Sequence, residues 1–149
     1  MNLGVYVKSL TISEEIGHAV DNINEGIEKG LLNDASIFYD DVGPNHLKMK
    51  CGCFNSADIW NFTGHLIVTS AKQASSVINI VNKFKLMYYY KWHNEDDMMS
   101  TIGVANHPLV KTICRTNEDA AELYRITGSK PVAVVDNFKL SDVLEAIKK

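Results

Sequence analysis

Hydrophobic residues recur along this chain with two different periods, which predict alternating strands and helices. Short apolar runs bounded by polar or turn-forming residues are typical of strands. Such runs span Leu3–Lys8, Ala35–Tyr39, Leu47–Phe54, His65–Thr69, Lys85–Trp92, Val110–Cys114 and Val132–Asp136. The first two runs enclose a helical segment, and a strand–helix–strand unit of this length favours a parallel sheet.

Between these runs the apolar spacing changes to three or four residues, the period of a helix with one buried face. The first helix carries its stripe at Ile12, Ile16, Val20, Ile23 and Ile27. Thr11 and Glu14 have the spacing of a capping box at its start, and Gly30 offers a stop.

The later helices also have recognisable ends. Ser70 with Gln73 predicts a capped second helix, and Asn94 is expected to cap a short acidic one. A further helix over Asn117–Thr127 is expected to end at Gly128 in the left-handed conformation. A closing helix carries Leu140, Val143, Leu144 and Ile147.

Strands and helices alternate without a linker, an internal repeat or a low-complexity tract. We therefore expect one α/β domain over residues 1–149, with a mostly parallel sheet of about six strands and helices on both faces. The chain has 149 residues, 46% of them hydrophobic. That content is enough for a packed core and argues against disorder.

Charge and cysteine content narrow the class of partners and the compartment. Fifteen Lys and Arg against 18 Asp and Glu give a net charge of −3, which argues against nonspecific nucleic-acid binding. No apolar run approaches the roughly 20 residues of a membrane span, and the first ten residues lack a signal-peptide layout. Three cysteines, an odd number, do not suggest a disulfide framework. We expect a cytoplasmic protein without a membrane partner.

Candidate chemistry lies where the predicted strands end, because ligands bind beyond the carboxyl ends of parallel strands. Asp40, Asp41 and His93 are the candidates for a catalytic base. The candidate ligand-binding residues are Ser9, Thr69, Ser70, Trp92, Arg115, Asp136 and Asn137. The alternative is that strand ends are polar only because they leave the core.

Several of these residues admit two interpretations. Asp40 and Asp41 suit a divalent cation or a sugar hydroxyl, but they also precede an ordinary turn. The run Tyr88–Tyr90 suits stacking on a sugar or base, or packing beneath helices. The turn after the first strand, residues 8–13, has no glycine for a pyrophosphate, which argues against dinucleotide and ATP sites.

Cys51-Gly-Cys53 has the appearance of half a metal site. Zinc needs two further ligands, and the sequence has no second paired motif. Because both cysteines share the predicted face of Leu47 and Met49, buried thiols are favoured and no metal is predicted.

Longer stretches of the chain resemble a known group of proteins. They are Tyr39–Gly43, Cys53–Phe62, Leu66–Ser70, Tyr88–Trp92, Ile113–Thr116 and Lys130–Phe138. These stretches are similar to small glycosyltransferase-like proteins of tailed bacteriophages and, more loosely, to the N-terminal half of GT-B glycosyltransferases. The resemblance implies a Rossmann-like three-layer sandwich and, for a viral protein, the host cytoplasm.

GT-B enzymes hold the sugar-nucleotide donor mainly in a second domain that this chain does not contain. The resemblance therefore implies an acceptor-side module that is active only as a homodimer or with a second protein supplying the missing domain, or that is not catalytic at all. No cofactor is required in this interpretation, although a divalent metal ion or a nucleotide sugar is a candidate ligand.

Three hypotheses about function follow. The first is a glycosyltransferase-like protein that binds a sugar, a nucleotide or a related small ligand at the carboxyl edge of the sheet. The second is a noncatalytic interaction module or homodimer, with the strand over Leu47–Phe54 as the contact edge. The third is a receiver- or flavodoxin-like signalling domain, which fits the length and the alternation of strands and helices.

Overall fold

Seven parallel strands form the central sheet in the part of the chain that the structure describes. The computed structural model describes residues 2–80, 84–92 and 96–149. The strands are β1 (Asn2–Leu10), β2 (Asp34–Val42), β3 (Gly52–Asn55), β4 (Gly64–Val68), β5 (Phe84–Tyr90), β6 (Val110–Cys114) and β7 (Ala133–Val134). Their order across the sheet is β3-β2-β1-β4-β5-β6-β7, and each neighbouring pair is parallel. The predicted α/β class is confirmed, with seven strands where about six were expected.

Helices cover both faces of this sheet. They are α1 (Glu14–Glu28), α2 (Ala71–Ile78), α3 (Met98–Ala105), α4 (Asn117–Thr127) and α5 (Leu140–Lys148), with a 3₁₀ helix at Ser56–Asn61. Apolar residues of α1 and α5 belong to one core, and those of α2, α3 and α4 belong to the other. We call these two sides of the sheet the α1 face and the α2 face. The result is a Rossmann-like three-layer sandwich.

The alternation of side chains along the strands decides which core each residue enters. Tyr88 and Tyr90 lie in the core of the α2 face with their ring centroids 6.3 Å apart. Tyr89 lies in the core of the α1 face and stacks on Phe138. All three tyrosines are buried, so packing beneath the helices accounts for the aromatic run.

One predicted helix start is wrong, and another falls outside the described residues. The side chain of Ser13, not Thr11, caps α1 by accepting a hydrogen bond from the backbone N–H of Ile16. The reason is that the backbone N–H of Ile12 donates to the carbonyl of Pro44, which keeps the chain extended to that point. Asp97 caps α3, and the predicted cap Asn94 lies outside the described residues.

Two predicted helix ends are confirmed. Gly30 and Gly128 both adopt left-handed backbone angles, with φ of 71° and 76°. The N–H of Gly128 closes α4 by donating to the carbonyl of Tyr124 at 2.8 Å. Only glycine adopts this conformation without steric cost.

The predicted strand over Leu47–Phe54 lies at the edge of the sheet but is shorter than expected, because only its last part, β3, pairs with β2. Ahead of β3, the side chain of Asn24 in α1 binds the backbone. Its Nδ2 donates to the carbonyl of Lys48 at 2.7 Å, and its Oδ1 accepts from the N–H of Lys50 at 2.9 Å. These bonds hold the backbone at Lys48 and Lys50 against α1, so the pairing with β2 begins only at Gly52.

Candidate functional site

The strand order of the sheet changes direction between β1 and β4. The chain moves outward through β2 and β3 and returns to β4 on the other side of β1. Ligands of open parallel sheets bind at this point, because the loops on either side diverge and leave a crevice. A crevice of about 260 Å³ lies here and is lined by Tyr6, Lys8, Asp40, Ser70, Lys72, Gln73, Ser76 and Asp96. We call it the switch-point crevice.

Tyr6 and Asp40 form a hydrogen-bonded pair in this crevice. The hydroxyl of Tyr6 in β1 donates to Oδ1 of Asp40 in β2 at 2.6 Å. Burial of the ring, together with this bond to a carboxylate, raises the pKa of Tyr6 to about 12. Tyr6 is therefore a neutral donor at physiological pH. Asp40 is exposed, so its carboxylate can accept further hydrogen bonds.

Gln73 contributes a buried donor to the same crevice. Its Oε1 accepts from the backbone N–H of Thr69 at 3.3 Å and lies 2.9 Å from the Thr69 hydroxyl. Because a backbone N–H can only donate, this contact places the amide oxygen next to Thr69. Gln73 is 5% exposed, and its Nε2 has no hydrogen-bond partner within the described residues. Such a group is costly to bury unless something accepts its hydrogens.

The N-terminus of α2, beside the crevice, is occupied by the protein's own side chains. Ser70 Oγ accepts from the N–H of Gln73 at 3.1 Å, which is half of the predicted capping box. The other half is absent, because the side chain of Gln73 turns to Thr69. Asp96 accepts from the N–H of Ala71 at 2.8 Å and from the hydroxyl of Tyr88 at 2.5 Å. An internal carboxylate thus binds an N–H that would otherwise be available to a phosphate.

The strand alternation separates the two candidate aspartates. Asp40 comes two residues after Phe38 in β2, so its side chain lies on the α2 face together with that of Tyr6. Asp41 belongs to the opposite side of β2, in register with Ser9 of β1. Asp40 and Asp41 therefore do not share one side of β2, because neighbouring residues of a strand point to opposite faces.

Two wider grooves, each of about 480 Å³, lie farther along the same edge of the sheet. Arg115 lines one of them and is ion-paired with Glu15 at 3.6 Å. Lys91 lines both, and its Nζ lies 2.5 Å from a carboxylate oxygen of Glu122. Because these charges pair with each other, the switch-point crevice is the stronger candidate despite its smaller volume. It is lined by Gln73, whose buried Nε2 has no partner among the residues that the structure describes.

Trp92 packs into the core instead of stacking on a ligand at the edge. Lys91 adopts a left-handed backbone with φ of 60°, which ends β5 and interrupts the alternation. Trp92 consequently lies on the α1 face, 3% exposed, with its ring edge-on to Tyr89 and Phe138. The predicted strand through Trp92 is therefore two residues too long.

The remaining predicted residues do not converge on the crevice. Thr69 is fully buried, and its hydroxyl lies 2.9 Å from the carbonyl of Tyr6, so it joins β4 to β1. Asp136 and Asn137 form a turn after β7, in which the carbonyl of Asn137 accepts from Asn22 of α1 at 3.2 Å. His93 lies outside the described residues.

Of the predicted residues that the structure describes, only Asp40 and Ser70 line the switch-point crevice. Sequence reasoning missed Tyr6, Gln73 and Asp96 as members of the site. Tyr6 gave one signal, since it is a residue with a polar tip between two valines, Val5 and Val7. Gln73 and Asp96 gave none, because each has the sequence position of an ordinary helix-terminal residue.

The described residues hold no group of three or more His, Cys, Asp or Glu side chains arranged to bind a metal ion. None of the helices in these parts of the chain has the length and apolar character that crossing a membrane requires. Comparison with protein families, with curated proteins and with solved structures finds no match to this chain. The resemblance to glycosyltransferase-like proteins, like the homodimer through the edge strand, therefore stays a prediction.

Proposed function

We propose that the protein binds a sugar, or the sugar of a nucleotide, in the switch-point crevice. The observation that carries the proposal is the buried Nε2 of Gln73, which needs an acceptor that the described residues do not supply. Asp40 lines the same crevice with an exposed carboxylate that accepts hydrogen bonds. A sugar hydroxyl both donates and accepts, so adjacent hydroxyls satisfy Asp40 and Gln73 together.

The size and charge of the crevice support a ligand with one ring in the pocket. Its volume of about 260 Å³ is slightly below the roughly 300–1,000 Å³ of pockets for drug-sized molecules. Asp96 already binds an N–H of the α2 N-terminus, so a phosphate group would contact the lysine side chains that line the crevice, Lys8 and Lys72. This arrangement favours a sugar phosphate or a nucleotide sugar over a dinucleotide.

The resemblance to glycosyltransferase-like proteins agrees with a nucleotide sugar as the ligand class. In a transfer reaction, Asp40 would accept the proton of an acceptor hydroxyl, because it is the candidate base that lines the crevice. Tyr6, whose hydroxyl bonds to Asp40, would orient that carboxylate.

Calorimetric titration with glucose, UDP and UDP-glucose tests the proposal, using matched variants of the two neighbouring aspartates. Asp40→Asn keeps an acceptor for Tyr6 but removes the charge, and we expect it to weaken binding by about 10–100-fold, since a hydrogen bond to a charged group contributes about 1.5–3 kcal/mol. Asp41→Asn, on the other side of β2, should bind as the unmodified chain does. Equal effects of the two variants, or no heat of binding with any of the three ligands, would contradict the proposal.

A further inference from the structure

Three sulfur atoms come together on the α1 face, away from the switch-point crevice. The Sγ of Cys53 in β3 lies 3.2 Å from the Sδ of Met49. Cys51 packs against the same core as Met49 and Cys53, and its thiol interacts with that of Cys53. The backbone bends at Lys50 and Cys51, and this bend brings Met49 back towards Cys53, four residues later in the chain. We call these three side chains the sulfur cluster.

Contacts with β2 on one side and with α1 on the other position the backbone of the sulfur cluster. Cys53 is in register with Ile37 of β2. On the other side, Asn24 of α1 binds the backbone at Lys48 and Lys50, immediately before and after Met49. Lys50 is also ion-paired with Glu28 of α1. The positions of the three sulfur atoms are therefore set by contacts with two other elements and not by the local chain alone.

From this arrangement we infer that Met49, Cys51 and Cys53 form a binding site for a soft monovalent metal ion, Cu(I). Thiolate and thioether sulfur are the ligands that Cu(I) prefers. The two thiols are half-buried, so an ion reaches them while the neighbouring core shields the complex. On binding, the thiols release their protons to solvent.

The ligand set distinguishes Cu(I) from zinc. Structural zinc sites have four thiolate, imidazole or carboxylate ligands, and thioether sulfur is not among them. Within the described residues no third Cys, His, Asp or Glu joins Cys51 and Cys53 in such a group. Two thiols and a thioether therefore provide a site for a soft ion that accepts three sulfur ligands.

The alternative is that the three sulfur atoms only pack against the core, as Leu47 does on the same face. The two interpretations differ in a titration. Reduced, metal-free protein is mixed anaerobically with Cu(I) held by a chromophoric chelator, and the loss of the chelator's colour reports transfer. The site predicts transfer of one equivalent, whereas packing alone predicts none. X-ray absorption should then report sulfur-only ligation, and nitrogen or oxygen ligation would overturn the assignment.

Substitutions test which side chains bind the Cu(I) that the protein takes from the chelator. Cys51→Ser and Cys53→Ser should each lower the Cu(I) affinity by more than the roughly 10–100-fold that loss of an outer-shell partner costs. Met49→Leu, which preserves the volume, should lower it less. Cys114→Ala is the control, because Cys114 lies in the core of the α2 face and should not affect transfer. If Cys51→Ser left transfer unchanged, the site would be refuted.

A second measurement uses the unmodified chain, so it does not depend on the folding of any variant. Cu(I) should protect Cys51 and Cys53 from alkylation, as read by mass spectrometry of the digested protein. Zn²⁺ at the same concentration should protect neither thiol. Equal alkylation of both cysteines with and without Cu(I) would overturn the inference.

Discussion

Two tyrosine–carboxylate pairs on the α2 face have the same chemistry but different surroundings. Tyr6 donates to Asp40 at 2.6 Å, and Tyr88 donates to Asp96 at 2.5 Å. Tyr88 is fully buried, and Asp96 also accepts from the N–H of Ala71. Asp40, in contrast, is exposed at the switch-point crevice. The difference indicates that the Asp96 pair joins β5 to α2, whereas the Asp40 pair leaves a carboxylate accessible at the crevice.

The largest difference in the free energy of unfolding should appear when the carboxylate of Asp96 or of Asp40 is removed. Asp96→Ala should lower the free energy of unfolding by roughly 2–4 kcal/mol, because it removes a bond at a helix N-terminus and leaves the hydroxyl of Tyr88 buried without an acceptor. Asp40→Ala should cost less than half as much, since the hydroxyl of Tyr6 lines the crevice, where water can accept its hydrogen bond. Denaturant unfolding measures both, and equal costs would remove the distinction between the pairs.

Removing the hydroxyl of Tyr88 or of Tyr6 should produce a smaller difference in the free energy of unfolding. The Tyr88 variant should again be the less stable of the two. Tyr88→Phe should lower the free energy of unfolding by about 1–2 kcal/mol, because Asp96 loses a donor that water cannot readily replace. Tyr6→Phe should change it by less than about 0.5 kcal/mol, since the exposed Asp40 is hydrated instead. Thermal and denaturant unfolding at neutral pH measure both changes. If Tyr6→Phe lowered the free energy of unfolding more than Tyr88→Phe, the Tyr6–Asp40 pair would be the structural one, against our interpretation.

The same tyrosine should also make the stability depend on alkaline pH. The pKa of Tyr6 is raised to about 12 in the folded protein by burial and by Asp40, against about 10 in an unfolded chain. The unfolded state therefore loses this proton first. The stabilisation is complete below about pH 10 and is lost as the pH rises towards 12.

The variant Tyr6→Phe isolates that contribution from those of the other tyrosines. About one pH unit above the ordinary tyrosine pKa, the unmodified chain should have lost roughly 1 kcal/mol more stability than the variant, relative to neutral pH. Unfolding curves at a series of alkaline pH values provide the measurement. Parallel pH profiles for the two proteins would show that the hydroxyl of Tyr6 titrates normally.

The fold could be predicted well from the sequence because its signals are local. A strand repeats every two residues and a helix every three to four, so the hydrophobic pattern indicates the type and order of the elements. The same alternation correctly separates Tyr89 from Tyr88 and Tyr90. Boundaries were predicted less well. Lys91 turns left-handed and Ile12 is held extended by Pro44, and both effects depend on neighbours that are distant in the sequence or on tertiary packing.

Local sequence patterns suffice for the α/β class, the ends of α1 and α4 at Gly30 and Gly128, and the shared face of Met49, Cys51 and Cys53. Long-range packing, in contrast, sets the strand order, the contact of Tyr6 with Asp40, the contact of Asp96 with the N-terminus of α2, and the burial of Trp92. The physical reason is distance along the chain. Backbone hydrogen bonds and side-chain periods act over a few residues, whereas Tyr6 and Asp40 are 34 residues apart and Ala71 and Asp96 are 25 apart. Such contacts form only once the helices have packed on both faces and fixed which strands are neighbours.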